Sequence, residues 1–490
     1  VLFSAPEFFA FFVIYLLLHV AVPARHRLLL IIIGSTIFYG AWNPYLPADQ
    51  KAFTLDPLEL ISRINYRYIW LPHVLMLVAY FGVLWMEAAA AAPDRKRRMI
   101  AITVVLLLPL AFVKYTDFIY ADVLGPVFGW SGKLLNIALP LGISFVTFTL
   151  IAYVVDVYRR KYPVERRAGL LAGLVLFFPH LIAGPILRPH ELMPQLAKPR
   201  PALRAFGRRL VFGLAVFTLG LAKKLGLADQ LADVVDHVYK TPSGLTAVDY
   251  LLAIYGFSLQ IYCDFSGYTD MAIGVALMIG VRLPTNFRQP YTAVSIVDFW
   301  RRWHITLSTW LRDYLYIPLG GNRGGRPRQL FNLMVTMLLG GLWHGANWTF
   351  VLWGALHGGA IALVHAVRWS PLHGIVKRVP AWLWLLITFH FVTWVWVPFR
   401  APDMATAVRV ALGPFTAPLG DWEATLRLHA FPIALLAVFL ASHRWDNHRT
   451  IHRVARRLPQ AVFWPLIALI WALAITLSQG SSKKFVYFDF

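Results

Sequence analysis

The side chains best suited to proton chemistry lie between residues 257 and 360. His344 sits in residues 338–350, LLGGLWHGANWTF, and His304 in residues 297–318, VDFWRRWHITLSTWLRDYLYIP. Near pH 7 a neutral imidazole can take a proton from a hydroxyl or thiol. A lone histidine on an apolar face usually only packs. The surroundings of His344 strengthen its claim. Gly340, Gly341 and Gly345 flank it, and small residues either let helices approach or leave room for a substrate. No basic loop separates the apolar runs on either side, so His344 should lie deep.

The same segment carries Asp264, Asp270, Asn286, Arg288, Asp298, Arg301, Arg302, Arg312, Asp313, Asn322, Asn347 and His357 among apolar runs. An ionisable side chain costs about 2.5–3.5 kcal/mol to place in a bilayer, so such residues face a cavity or a partner. Residues 297–318 are too charged to span and too aromatic for a solvated loop. Trp300, Trp303, Trp310, Tyr314 and Tyr316 suggest an interfacial helix. That helix either anchors the chain, its arginines reaching the headgroups, or walls a cytoplasmic entrance. In the second case Arg301, Arg302 and Arg312 would favour a phosphate-bearing ligand. The glycines at 320–325 lack the GK[ST] of a phosphate-binding loop. Asn347-Trp348-Thr349 matches a glycosylation sequon, which at this depth is coincidence.

The elements that position these residues belong to a membrane protein. Hydrophobic residues make up 58% of the 490 and charged residues only 14%, against about 25% charged in soluble domains. The net charge of +22 does not signal nucleic-acid binding, because the basic residues fall between apolar runs and not along one face. A single cysteine, Cys263, excludes an intrachain disulfide, and no His/Cys cluster suggests a metal.

Apolar runs lie near 8–22, 28–46, 70–90, 99–115, 136–157, 168–187, 210–227, 247–263, 268–282, 331–345, 348–367, 381–398, 429–442 and 461–478. Several are short or broken, which predicts about eleven or twelve true spans in one all-α, polytopic domain over residues 1–490. The first run lacks a basic flank before it and reads as a retained span, not a signal peptide. The initial Val reads as a start codon translated literally. Clusters at Arg25–Arg27, Arg95–Arg98, Arg159–Lys161 and Arg444–Arg457 mark cytoplasmic loops, placing both termini outside. The run at 168–187 has basic residues on both flanks and is cut by Pro179, Gly184 and Pro185, so it reads as re-entrant beside a cavity. Residues 43–69 form a polar exterior insert. The absence of an internal repeat weighs against inverted-repeat transporters.

The strings WRRWHITLSTWLRDYLYIPLGGNRGG and GGLWHGANWTFVLWGALHG resemble the membrane-bound O-acyltransferase (MBOAT) family, in its alginate O-acetylation branch. Further matches are LPLGISF at 139–145, FFPHLIAGPILRPHELMPQL at 177–196, Lys223-Lys224 with Ala228-Asp229, YCDFSGYTDMAIG at 262–274 and the ending FVYFDF. Thr149 stands where that family carries glutamine. The resemblance implies a ring of helices around a central tunnel, with His344 as the central histidine and His304 as the second. It implies acetyl transfer from cytoplasmic acetyl-CoA, with no permanently bound cofactor, across a bacterial inner membrane for O-acetylation of an exopolysaccharide such as alginate. The CoA phosphates would lie near Arg301, Arg302 or Arg312. His344 would be a general base or a transient acetyl carrier, and His304 would orient CoA or shape the tunnel. Asn347, Asp298 and Asp264 are weaker substrate-binding candidates, each alternatively a helix–helix polar contact. A periplasmic SGNH-type partner is implied, because no such domain is fused here. Within the family the alternatives are cellulose, peptidoglycan or another glycan as acceptor, or D-alanyl transfer to teichoic acid. Outside it they are a transporter or flippase, or a purely structural assembly subunit.

Overall fold

The computed structural model describes residues 3–43, 59, 62–135, 137–198, 206–241, 243–478, 483, 485 and 486. Their regular structure is helical, with no strand among the described residues. Most of the polar insert at 43–69 lies outside them. Among the described residues five helices are long and apolar enough to cross a bilayer: Ala92–Phe128, Gly207–Lys240, Trp348–Arg368, Ala381–Arg400 and Gln460–Leu477. The pair Trp422–Leu428 and Ala430–Trp445, bent by 73°, makes a sixth if counted as one span. The chain is a multi-pass membrane protein.

That count is below the eleven or twelve spans expected, for two reasons. Several apolar runs form helices of 17 residues or fewer, such as Pro6–Ala21, Leu71–Glu87 and Ile143–Tyr158. A 16-residue helix rises only about 24 Å, short of the hydrocarbon thickness. The runs at 247–263 and 268–282, in turn, are one helix, Ala247–Met278.

The chain divides into two compact units, one of residues 1–217 and 268–284, the other of residues 218–267 and 285–490. In the first, an aromatic cluster of Phe3, Phe8, Phe38 and Phe178 is almost fully buried. Two of the strings noted above meet there. Gly142 of LPLGISF precedes helix Ile143–Tyr158 with φ of +62°, and a Cβ on it would collide with the carbonyl oxygen of Leu181 in FFPHLIAGP. The run at 168–187 forms a nine-residue helix, Ala168–Leu176, then a single tight turn at Phe178–His180. Nine residues rise about 14 Å, too little to span. Its interrupted backbone is buried in protein: Ser35 Oγ accepts from Phe178 N–H at 3.1 Å, and His180 Nε2 meets Leu174 O at 2.9 Å.

The second unit is built on an antiparallel pair, Arg326–His344 and Trp348–Arg368, joined by three residues. Pro327 begins the first helix, where its missing N–H costs nothing. Asn347 caps the second, its Oδ1 accepting from Thr349 N–H at 3.0 Å. A Cβ at Gly341 would strike Phe350 O, and one at Gly354 would come within 2.5 Å of Met337 O. These two glycines therefore serve close helix approach, which settles the alternative left open by the sequence.

The single interfacial helix expected over residues 297–318 is not present. That stretch is a short helix Ile296–Trp300, a break, a second helix Ile305–Leu311, and one wide turn at Arg312–Tyr316. The break falls at His304, whose φ of +41° no helix accommodates.

Replacing Gly341 or Gly354 by alanine should push the pair apart and destabilise the protein by about 1–3 kcal/mol. Gly359, with nothing within 4 Å of an added Cβ, should tolerate alanine without loss. Thermal unfolding of detergent-solubilised variants checks the contrast.

Candidate active site

His304 owes its position to a loop that braces it from both sides. Ile305 N–H donates to Asn286 O at 2.8 Å, and Arg288 N–H to Arg302 O at 2.9 Å. The Asn286 side chain is fully buried and its Oδ1 collects three groups: Thr306 N–H at 3.2 Å, Thr306 Oγ1–H at 2.9 Å and His304 Nδ1 at 3.2 Å. A backbone N–H can only donate, so the Asn286 atom is the acceptor and His304 Nδ1 carries the proton. Nε2 is then a bare lone pair, with no hydrogen-bond partner among the described residues. The ring is fully buried, edge-on to Phe265 at 4.7 Å, and burial pushes its pKa down to about 3. His304 is thus a neutral imidazole of fixed tautomer, held by a strained backbone. That combination recurs at functional sites.

His344 is the last residue of its helix, and Gly345 after it is extended. The ring is only 5% exposed, but it lies beside the turn of the helical pair, about 27 Å along the helix from Arg326. Aromatic side chains shield it: Trp343 at 4.8 Å, Trp353 at 5.1 Å and Phe399 at 5.1 Å, all edge-on. Exposed Trp348, at the start of the next helix, suits an interfacial level. Trp343 also lies 6.4 Å from His304, so one indole touches both histidines.

The three arginines differ. Arg302 is committed, its Nε to Asp298 Oδ1 at 2.9 Å and its Nη1 to Thr292 Oγ1 at 3.1 Å. Asp298 in turn receives Val294 N–H at 3.3 Å. Arg312 Nε lies 2.7 Å from Asp313 Oδ1, a hydrogen bond that raises the pKa of the guanidinium. Arg301 is exposed and has no ion pair among the described residues. Of the three it has the most freedom to meet an anion. Asn347 spends both ends of its amide on structure, capping its helix and donating to Pro402 O at 2.9 Å.

Asp264 forms a buried ion pair with Lys224, which also pairs with Asp229, each at 2.8 Å. Asp264 Oδ2 accepts from Val486 N–H at 2.6 Å. It is the polar contact that the sequence offered as the alternative to substrate binding. A separate apolar cavity of about 170 Å³, lined by Tyr255, Leu259, Tyr291, Phe389, Phe439 and neighbours, does not include either histidine.

Sequence reasoning placed Asn286 among the polar residues without giving it a task. The available signal was its place between Pro284 and Pro290, a non-helical stretch whose buried polar side chain needed partners. The aromatic cage around His344 left no comparable sign.

The family model described as "MBOAT, membrane-bound O-acyltransferase family" matches residues 171–397. The chain is 40% identical over 419 residues to the probable alginate O-acetylase AlgI of Azotobacter vinelandii, covering 84% of this chain and 77% of that protein. It is 36% identical to the protein of the same name from Pseudomonas putida, over 98% of both chains. It is 35% identical to the peptidoglycan O-acetyltransferase of Helicobacter pylori, over 78% of this chain and 72% of that one.

Asn286→Ala should orphan His304 Nδ1 and both Thr306 donors, at a cost on the order of 2–3 kcal/mol, read as a lowered melting temperature. The depressed His304 pKa also sets a sign. Above pH 6.5 neither folded nor unfolded imidazole is protonated. Between pH 6.5 and about 3 only the unfolded one takes a proton, so stability falls as the pH drops. His304→Gln should flatten the acid side of a melting-temperature profile.

Proposed function

Since the chain belongs to the membrane-bound O-acyltransferase family and is an acyltransferase, we propose that it moves acetyl groups from acetyl-CoA to hydroxyls of an exopolysaccharide of the alginate type, with His344 as the reacting imidazole. The acceptor reading is supported by identities of 36–40% to proteins named as alginate O-acetylases, one of them over 98% of both chains. A peptidoglycan acceptor is the second reading, favoured by the 35% identity to the Helicobacter pylori enzyme.

The observation that carries the assignment is the pair of imidazoles, one edge-on to Trp343 and the other 6.4 Å from it. Along the helical pair, Arg326, Arg328 and Arg368 lie at the end opposite the turn that holds His344. The bias of basic residues toward the cytoplasm then sets His344 on the periplasmic side of a bacterial inner membrane. Trp300 packs on Trp353 and His357, five and nine residues beyond the three-residue turn's end at Trp348. Its neighbour Arg301 therefore lies roughly 8–14 Å down the pair. An exposed guanidinium at such a level favours a water-filled approach, and Arg301 is the residue proposed to meet the CoA phosphates.

As a base, His344 takes the proton of the acceptor hydroxyl while its oxygen attacks the thioester carbonyl. The thiolate leaves and recovers that proton, giving ester and free thiol. As a carrier, an imidazole nitrogen first displaces the thiolate to form an acetyl-imidazole, which the hydroxyl then attacks, releasing the ring. In either route His304, with its bare Nε2, shapes the donor side. A periplasmic partner of the SGNH type would complete delivery to the polymer.

His344→Ala should abolish acetyl transfer in nanodiscs at an unchanged level of folded protein, and wild-type ester yield in that variant would sink the proposal. Arg301→Gln should raise the KM for acetyl-CoA about tenfold, the worth of one charge-assisted contact. Arg312→Gln, removing a guanidinium already paired, should change it much less.

A further inference from the structure

His357 is fully buried in the middle of helix Trp348–Arg368, and neither ring nitrogen has a hydrogen-bond partner among the described residues. The indole nitrogens of Trp300 and Trp353 are buried and equally unpartnered. The three rings are in mutual contact: His357 lies 5.1 Å from Trp300 and 4.7 Å from Trp353, and the two indoles are 5.7 Å apart. Packing alone does not account for this. A phenylalanine would fill the same volume among Phe299, Trp300 and Trp353 without burying two polar atoms, each of which costs about 1–3 kcal/mol when unsatisfied. Four orphaned nitrogens on three adjoining rings indicate that their partner is not part of the chain's resting contacts.

The chemistry of that partner follows from the donors. An indole N–H only donates, and a neutral imidazole supplies one donor and one acceptor. The cluster therefore offers three donors against one acceptor, which suits an oxygen rich in lone pairs. An anion is a poor guest, because no cation belongs to the cluster and a buried charge is costly without one. The indole of Trp353 stands against His344 as well, at 5.1 Å, so the cluster lies one ring's thickness from the proposed reacting group.

We infer that Trp300, Trp353 and His357 form a hydrogen-bonding subsite for the carbonyl oxygen of the acyl donor, next to His344. This rests on the acyl-transfer role of His344. The N–H groups hold the carbonyl in place and strengthen their bonds as charge gathers on its oxygen during attack. His357 would thus be a group that touches substrate, and not a second base.

The test uses the full chain in nanodiscs, with acetyl-CoA as the probe. His357→Phe should melt within about 2 °C of wild type or higher, because it removes orphaned polar atoms. Its kcat/KM for acetyl-CoA should fall tenfold or more, as expected for one lost hydrogen bond to the reacting group. His357→Gln, which keeps a donor and an acceptor, should recover part of that loss. Trp300→Phe should show a smaller fall. Wild-type kcat/KM in His357→Phe overturns the inference. If His357→Phe fails to fold, Trp300→Phe and His357→Gln decide, and wild-type turnover in both overturns it. His344→Ala run alongside separates the two proposals. Activity retained there removes the assigned role of His344, whereas a dead His344→Ala with a fully active His357→Phe removes only the subsite.

Discussion

Two helix backbones come close enough at Gly341 and Gly354 that no side chain can stand between them. That approach fixes the rest of the second unit. It makes a three-residue connection possible, and the connection places His344 at the very end of its helix, beside the turn. Beside that turn Trp343, Trp353 and Phe399 close around the imidazole. Those rings enclose His344 edge-on. The ring is thereby kept nearly dry, at 5% exposure.

The polar groups of the second unit are handled in two ways. Where a charge is buried, it is paired: Lys224 lies between Asp229 and Asp264, and Lys223 Nζ lies 2.7 Å from Asp446. Such clusters bring little net stability, since desolvation offsets attraction, but they specify which segments meet. Where a neutral polar group is buried, a single atom can organise several, as Asn286 Oδ1 does for Thr306 and His304. Most of the +22 charge stays outside both schemes, at loops and helix ends, where it sets orientation.

The residues of the proposed site were legible because they break the rule for apolar segments. His304, His344 and the arginines at 301, 302 and 312 stand out by type, and the strings around them carried the family. The element boundaries were less legible. Residues 297–318 read as one helix because aromatic and charged residues alternate at helical spacing, whereas the backbone reverses at His304 under bonds from Asn286, eighteen residues earlier. Periodicity does not record such a long-range bond. The arginines looked equivalent in sequence, and only the positions of Asp298, Thr292 and Asp313 separate Arg301 from the others. Likewise Gly341 had two readings, and the distance to a facing carbonyl decides between them.

The left-handed backbone at His304 bears on how this position is to be probed. Ordinary alanine scanning there removes the imidazole and keeps a conformation that every L-residue but glycine resists. The alanine phenotype therefore mixes lost chemistry with unrelieved torsional cost. A glycine at 304 deletes the ring and relaxes the main chain together, so the difference between the two variants isolates what the conformation itself contributes. Few positions in an enzyme allow the backbone and the side chain to be weighed separately by two conventional substitutions.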